Sequence, residues 1–116
     1  GNVGIGITNP KSKLAVNGTI TAQKVTVTQT GWADYVFGKD YKLMSLQDLS
    51  NYINKHKHLP EIPSAKQIET EGVDVGNNQA LLLKKIEELT LYIIEQHKAM
   101  NEQQKQIVTQ NNCIVG

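Results

Sequence analysis

The densest gathering of metal-type ligands in the chain is His56 and His58 with Glu61. Residues two apart share a face only on a strand, and this stretch closes an expected helix. No cysteine and no second clustered carboxylate completes a shell, so the residues predict packed loop histidines rather than a metal centre. Serine chemistry fares no better. Ser12, Ser45, Ser50 and Ser64 are the only serines. Two of them read as helix caps, and no Gly-x-Ser-x-Gly elbow is present. A Ser–Lys or Ser–Asp pair assembled between chains is the remaining nucleophilic arrangement. Gly4 and Gly6 mimic part of a nucleotide loop, but the third glycine and the following helix are missing. The expectation is a chain with no catalytic residue, no metal and no cofactor.

The strongest pattern is one of spacing. Ile86, Ile93, Met100, Ile107 and Ile114 recur every seven residues. Offset by three, Leu82, Leu89, Gln96, Gln103 and Gln110 do the same. These are the a and d positions of a coiled coil, because a 3.5-residue period keeps one seam facing a partner. The d column turns from leucine to glutamine, and buried polar layers weaken a seam while fixing register and strand number. Ile at a with Leu at d tends toward two strands. The polar layers and the β-rich N-terminal region favour three. The expected partner is therefore two further copies of this chain, and the expected site is this seam.

Size supports that reading. A helix over the last third would be roughly 50 Å long at 1.5 Å per residue. The remainder, if compact, would be only roughly 30 Å across, too short to cover the stripe. Apolar residues make up 39% and aromatics 5% of the 116 residues, which suits an elongated assembly. The net charge of +1 and the absence of any Lys/Arg run beyond two residues give no reason to expect nucleic acid. No apolar stretch approaches membrane-helix length. Gly1 reads as the start of an internal segment. The single Cys113 excludes an intrachain disulfide; an interchain bridge requires parallel helices in register.

Three regions follow from the pattern, giving an α+β chain. Residues 1–30 are expected to be β-rich. Asn17-Gly18 between Leu14/Val16 and Ile20/Ala22 is a hairpin signal, and Val25 and Val27 continue the alternation in the opposite phase. Residues 31–77 form a small mixed body with two short helices. Trp32, Tyr35, Phe37 and Tyr41 concentrate the aromatics there and are expected to build a local core. The competing reading makes Trp32, Tyr35 and Tyr41 receptor contacts that stack on sugars. Ser45 with Asp48 and Ser64 with Gln67 cap the two helices. Leu46, Leu49, Ile53 and His56 share a face of the first, and Gly72 ends the second. Val73 and Val75 suggest a short strand. Asn77 or Asn78 is expected to cap a coiled-coil helix over 78–114. Lys84, Lys85, Glu87 and Glu88 read as its solvated face, and Leu81, Leu83 and Leu91 lie off the seam, where either they pack on the helical body or the first turns form a thicker bundle with it.

The run Asn2-Val3-Gly4-Ile5-Gly6-Ile7, Asn9-Pro10 and Lys13-Leu14-Ala15-Val16-Asn17-Gly18-Thr19-Ile20 resembles a junction of bacteriophage tail fibres and tail spikes. There it often leads into the endosialidase-type intramolecular chaperone, a C-terminal trimerisation domain that can cleave itself off. The downstream residues resemble a C-terminal domain of fibre-like surface proteins of Bacteroidetes and their phages. They are Trp32, Asp34-Tyr35-Val36-Phe37, Tyr41-Lys42-Leu43, Ser45-Leu46, Lys57-His58-Leu59-Pro60, Ile62-Pro63-Ser64-Ala65 and residues 82–92. The resemblance implies intertwined β-strands, a homotrimer ending in a helical bundle, and a place on a virion tail fibre or another extracellular surface. It also implies that a host glycan or protein is met at the tip. The self-cleaving chaperones carry a Ser-Asp-x-Arg-Leu-Lys-like motif where this chain has Thr30-Gly31-Trp32-Ala33-Asp34. No serine matches, so the departure counts against self-cleavage and not against assembly; a self-cleaving intramolecular chaperone stands as the third reading, after the assembly module and the receptor-binding tip.

Overall fold

The computed structural model describes the chain apart from Gln29, Thr30, Gly31, Ala33 and Gly116, and apart from the side chains of Cys113, Ile114 and Val115. Two short strands precede three helices: β1 (Val3–Ile5), β2 (Leu14–Val16), α1 (Leu46–His56), α2 (Ala65–Glu71) and α3 (Val75–Val115). The α+β composition is as expected. The shape is elongated, 83 × 30 × 28 Å with a radius of gyration of 22.8 Å, where a compact chain of this length would have about 13 Å.

β1 and β2 pair in parallel, with Val3 opposite Leu14 and Ile5 opposite Val16. The hairpin expected at Asn17-Gly18 is not made. A type I′ turn needs positive φ at both central residues, and neither Asn17 nor Gly18 has it. Asn17 instead extends the parallel ladder. Its backbone N–H donates to Ile5 O (2.9 Å) and its side-chain amide donates to Gly6 O (3.2 Å). Residues 19–28 form no strand, since no neighbouring ladder within the chain receives them.

Two glycines make the parallel pairing possible. A Cβ on Gly4 would lie 2.6 Å from the Ile7 carbonyl oxygen. Gly6 takes φ +73°, with Asn17 O 3.0 Å from where its Cβ would stand. Both are close backbone approaches that a side chain would block. Side chains alternate along strands, so Val3, Ile5, Leu14 and Val16 share one face. Val3, Ile5 and Leu14 remain exposed on it.

The helices start and stop as their caps dictate. Ser45 accepts from the Asp48 N–H at 3.1 Å. Ser64 and Gln67 form a reciprocal capping box (3.3 and 2.9 Å), and Gly72 closes α2 at φ +78°. The long helix begins earlier than expected. Asp74 accepts from the Asn77 N–H through Oδ1 (2.9 Å) and from the Asn78 N–H through its carbonyl (2.8 Å). That places the cap at Asp74 rather than at Asn77 or Asn78, and absorbs Val75 into the helix instead of a strand.

Among the described residues, Val36 and Ala80 are the only buried apolar side chains. The expected aromatic core is not formed. Trp32, Tyr35 and Phe37 are exposed, and Val36 between them is the buried residue. Leu46 and Ile53, on the expected face of α1, are exposed as well.

Gly4→Ala should force the 3–17 segment apart, because the obstacle is backbone rather than a movable side chain, at a cost of roughly 1–3 kcal/mol. Hydrogen exchange at the Val3 and Asn17 amides reads this directly. Faster exchange at both is expected; unchanged protection would contradict the described packing.

Candidate oligomerisation surface

Helix α3 divides its circumference between two tasks. One side holds the body through polar contacts. Lys84 is only 8% exposed. Its ammonium donates to both carboxylate oxygens of Glu61 at 2.8 and 2.6 Å and stands 5.5 Å from the centre of the Tyr35 ring. Lys85 bridges Glu61 (3.3 Å) and Glu88 (3.0 Å). The Tyr41 hydroxyl donates to Glu88 Oε2, and the Tyr92 hydroxyl donates to the Met44 carbonyl. These charges were expected to be a solvated face. They are instead the clamp that fastens the body to α3. Leu81, Leu83 and Leu91 are half-buried, in contrast to the seam.

Glu61 reaches the two lysines by an unusual backbone. Ile62 N–H donates to Leu59 O and Pro60 precedes Glu61, whose φ is +69°. This is the pattern of a type II turn, with proline at the second position and a residue where glycine is preferred at the third. A non-glycine residue in the left-handed region costs roughly 1–2 kcal/mol. The two lysine contacts offset that cost.

The charges respond accordingly. Burial alone would raise the Glu61 pKa, but the hydrogen bonds and charges of Lys84 and Lys85 hold it below its ordinary 4.5. Burial would lower Lys84, but Glu61 holds it above its ordinary 10.5. Tyr41 is pushed up by burial and by its hydrogen bond to Glu88. Tyr92 is raised by burial, with Glu88 and Glu95 adding to it.

The other side of α3 carries the heptad column, which the described residues leave open. Leu82, Ile86, Leu89, Ile93, Met100 and Ile107 are between 44% and 65% exposed. Gln96, Gln103 and Gln110 are exposed between and beyond them. The whole column therefore lies along one open stripe; the side chain of Ile114, its last member, lies outside the described residues. The chain exposes 10024 Å², against roughly 6,300 Å² for a compact monomer of its mass. The excess is of the size that obligate interfaces bury, about 2,000–5,000 Å².

A groove of about 450 Å³ lies where stripe and body meet. Leu82, Ile86 and Leu89 form its floor on α3, and Met44, Leu49 and Leu59 form its body wall. Sequence reasoning found the floor and missed the wall. The wall residues are scattered along the chain, and it is the long-range contacts of Glu61, Tyr41 and Met44 with α3 that bring them beside the helix.

The remaining candidates are placed as follows. Trp32 and Tyr35 are about half exposed (53% and 51%). The Tyr35 ring lies 5.8 Å from that of Tyr41, and Tyr41 is half-buried by its bond to Glu88. Tyr52 lies against His56, with ring centres 4.2 Å apart, and His58 sits edge-on to it at 5.9 Å. His58 Nδ1 is 2.9 Å from Leu59 O. No group of three His, Cys, Asp or Glu side chains among the described residues could hold a metal ion. No helix among them is long and apolar enough to cross a membrane. Thr30, Gly31 and Ala33, part of the run set against the self-cleavage motif in the sequence, lie outside the described residues, as does the side chain of Cys113.

No protein-family model, curated protein or solved structure matches this chain.

Two outcomes follow for the clamp. Stability that depends on ionised Glu61 is present above pH 4.5 and is lost as pH falls through the depressed folded value. Stability that depends on charged Lys84 is complete below pH 10.5 and is lost as pH rises through the raised folded value. Thermal melts of wild type and Glu61→Gln across acid pH should converge; parallel curves would remove Glu61 from the account. Separately, Glu61→Ala should be less stable than Glu61→Gly by about 1 kcal/mol, because alanine retains the left-handed strain that glycine relieves. Equal denaturant midpoints would argue against that strain.

Proposed function

We propose that this chain is a structural trimerisation and assembly module at the C-terminal end of a tail fibre or similar extracellular surface fibre. The observation that carries this is the uncovered heptad stripe on a 41-residue helix whose opposite side is already committed to the body. An apolar side chain of this size gains about 1.5–3 kcal/mol on full burial. Six of them in one column demand a partner of matching geometry, and a second helix of the same sequence in parallel has that geometry. Three strands are preferred to two because the glutamine layers and the open β-face both suit a threefold assembly. The exposed faces of β1 and β2 give the same direction, since an isolated two-stranded sheet is marginal in water.

The mechanism is one of register. Parallel α3 helices bring three N-terminal segments side by side. Strand pairing between chains then becomes effectively intramolecular, and its closure cost falls. Ile86, Leu89 and Ile93 lie where the helix is best anchored by the body, so they would lead this association. The module performs no chemistry in this reading: its seam, not a nucleophile, is the working site.

A second reading rests on the exposure of Trp32, Tyr35 and Phe37. Aromatic faces open to solvent can stack on sugar rings, which would make the body a receptor contact at the fibre tip. Trp32 fluorescence separates the two roles. Quenching by acrylamide that glycans suppress supports binding, whereas an indole shielded in the assembled protein and indifferent to glycans removes it.

Ile86→Asp with Ile93→Asp should convert the protein to a monomer. Two carboxylates in adjacent a layers would each face their own copies, at several kcal/mol per layer. Light scattering on this variant is the check, and an assembly of wild-type mass would sink the seam as the site of association.

A further inference from the structure

We infer that the groove between body and helix is the seat of a second copy's helix α3, so that each body grips its neighbour rather than only its own chain. The inference rests on the trimer reading and deepens it by naming what fills the groove.

The groove opens along the seam and continues it. With Ile86 at a and Leu89 at d, Lys85 and Tyr92 occupy g positions. These two residues also line the groove. In a parallel, in-register bundle the g column of one helix faces the e column of the next. The e residue that falls beside Lys85 and Tyr92 is Thr90 of the neighbour, exposed in the single chain. The neighbour's helix thus lies over Ile86 and Leu89 with its e side turned toward the body wall of Met44, Leu49 and Leu59. Met44 is fixed at that height by the hydrogen bond from Tyr92 to its carbonyl.

Three observations favour a second copy over a foreign partner. The groove is not a separate pocket, because three of its lining residues, Leu82, Ile86 and Leu89, belong to the heptad column that a copy must cover. The single chain exposes 10024 Å², well above a compact monomer of its mass, as a chain that buries this face in an assembly would. Three of the four charged residues lining the groove, Lys85, Glu61 and Glu88, already bond one another, so apart from Lys42 its lining is apolar or internally paired and suits the apolar face of a helix. The consequence is a device for choosing strand number. Bare Ile and Leu layers tolerate a dimer, whereas a body that must embrace its neighbour's e face adds contacts that recur around a closed ring.

The test pairs two single-cysteine chains, each carrying Cys113→Ser. One has Met44→Cys and the other Thr90→Cys. Both positions face solvent in the single chain, so neither replacement disturbs its fold. The two chains are refolded together and oxidised mildly, then weighed without reductant. A mixed Met44→Cys/Thr90→Cys dimer, several-fold more abundant than either like-with-like dimer, is the expected result. If light scattering reports a trimer and no mixed dimer forms, the groove assignment falls and the trimer stands. If it reports a monomer, the trimer reading falls and takes the groove assignment with it.

Discussion

The constraint on which everything else depends is geometric. An apolar column runs the length of α3, and the rest of the chain is too small and too firmly attached elsewhere to cover it. A folded chain must offset roughly 1–2 kcal/mol of backbone entropy per ordered residue. It does so mainly by burying apolar surface. Here only Val36 and Ala80 are buried apolar side chains among those described. The missing burial lies on two exposed surfaces, the seam and the face of β1 and β2. The chain as a whole is drawn out to 83 Å, which is the form expected of a strand in a bundle and not of a globule.

The polar clamp is what keeps the seam open. Lys84, Glu61, Lys85, Glu88 and Tyr41 form one connected set that runs from the back of α3 at Lys84 to the flank of the heptad column at Lys85. Isolated surface ion pairs contribute little, but Lys84 is nearly buried and is bonded to both oxygens of Glu61. Breaking such a pair from one side strands a charge. The strained turn at Glu61 fits the same picture: its left-handed backbone aims the carboxylate at two lysines at once. The body is thus fixed laterally, the seam stays exposed, and the groove between them follows as a by-product of that fixation.

How much of this was legible in the sequence depended on whether the cause was local. The seam was readable because a period of seven is a property of the chain itself. The caps at Ser45 and Ser64 were readable because a side chain bonds a backbone N–H three residues on. Gly72 was readable because its role is set by its own φ. The failures are all non-local. Asn17-Gly18 looked like a hairpin, but the parallel partner at Val3–Ile5 claimed β2 and Asn17 with it. Asp74 took the cap from Asn77 and Asn78. Lys84 and Lys85 looked solvated because their partner, Glu61, is distant in sequence and reaches them only through an unusual turn. The aromatic cluster was read as a core on composition, yet Val36 is what the chain buries. The trace of the clamp was the trio Leu81, Leu83 and Leu91 off the seam, which marked a second covered face of the helix without saying what covered it.

The measurement that bears most directly on all of this is the solution mass of the unmodified chain by size exclusion coupled to light scattering. Association along the heptad seam predicts three times the 12.9 kDa of one chain, held on dilution through the micromolar range. A mass of 12.9 kDa at those concentrations would contradict it, and would mean that the exposed column on α3 is not an interface between copies of this protein.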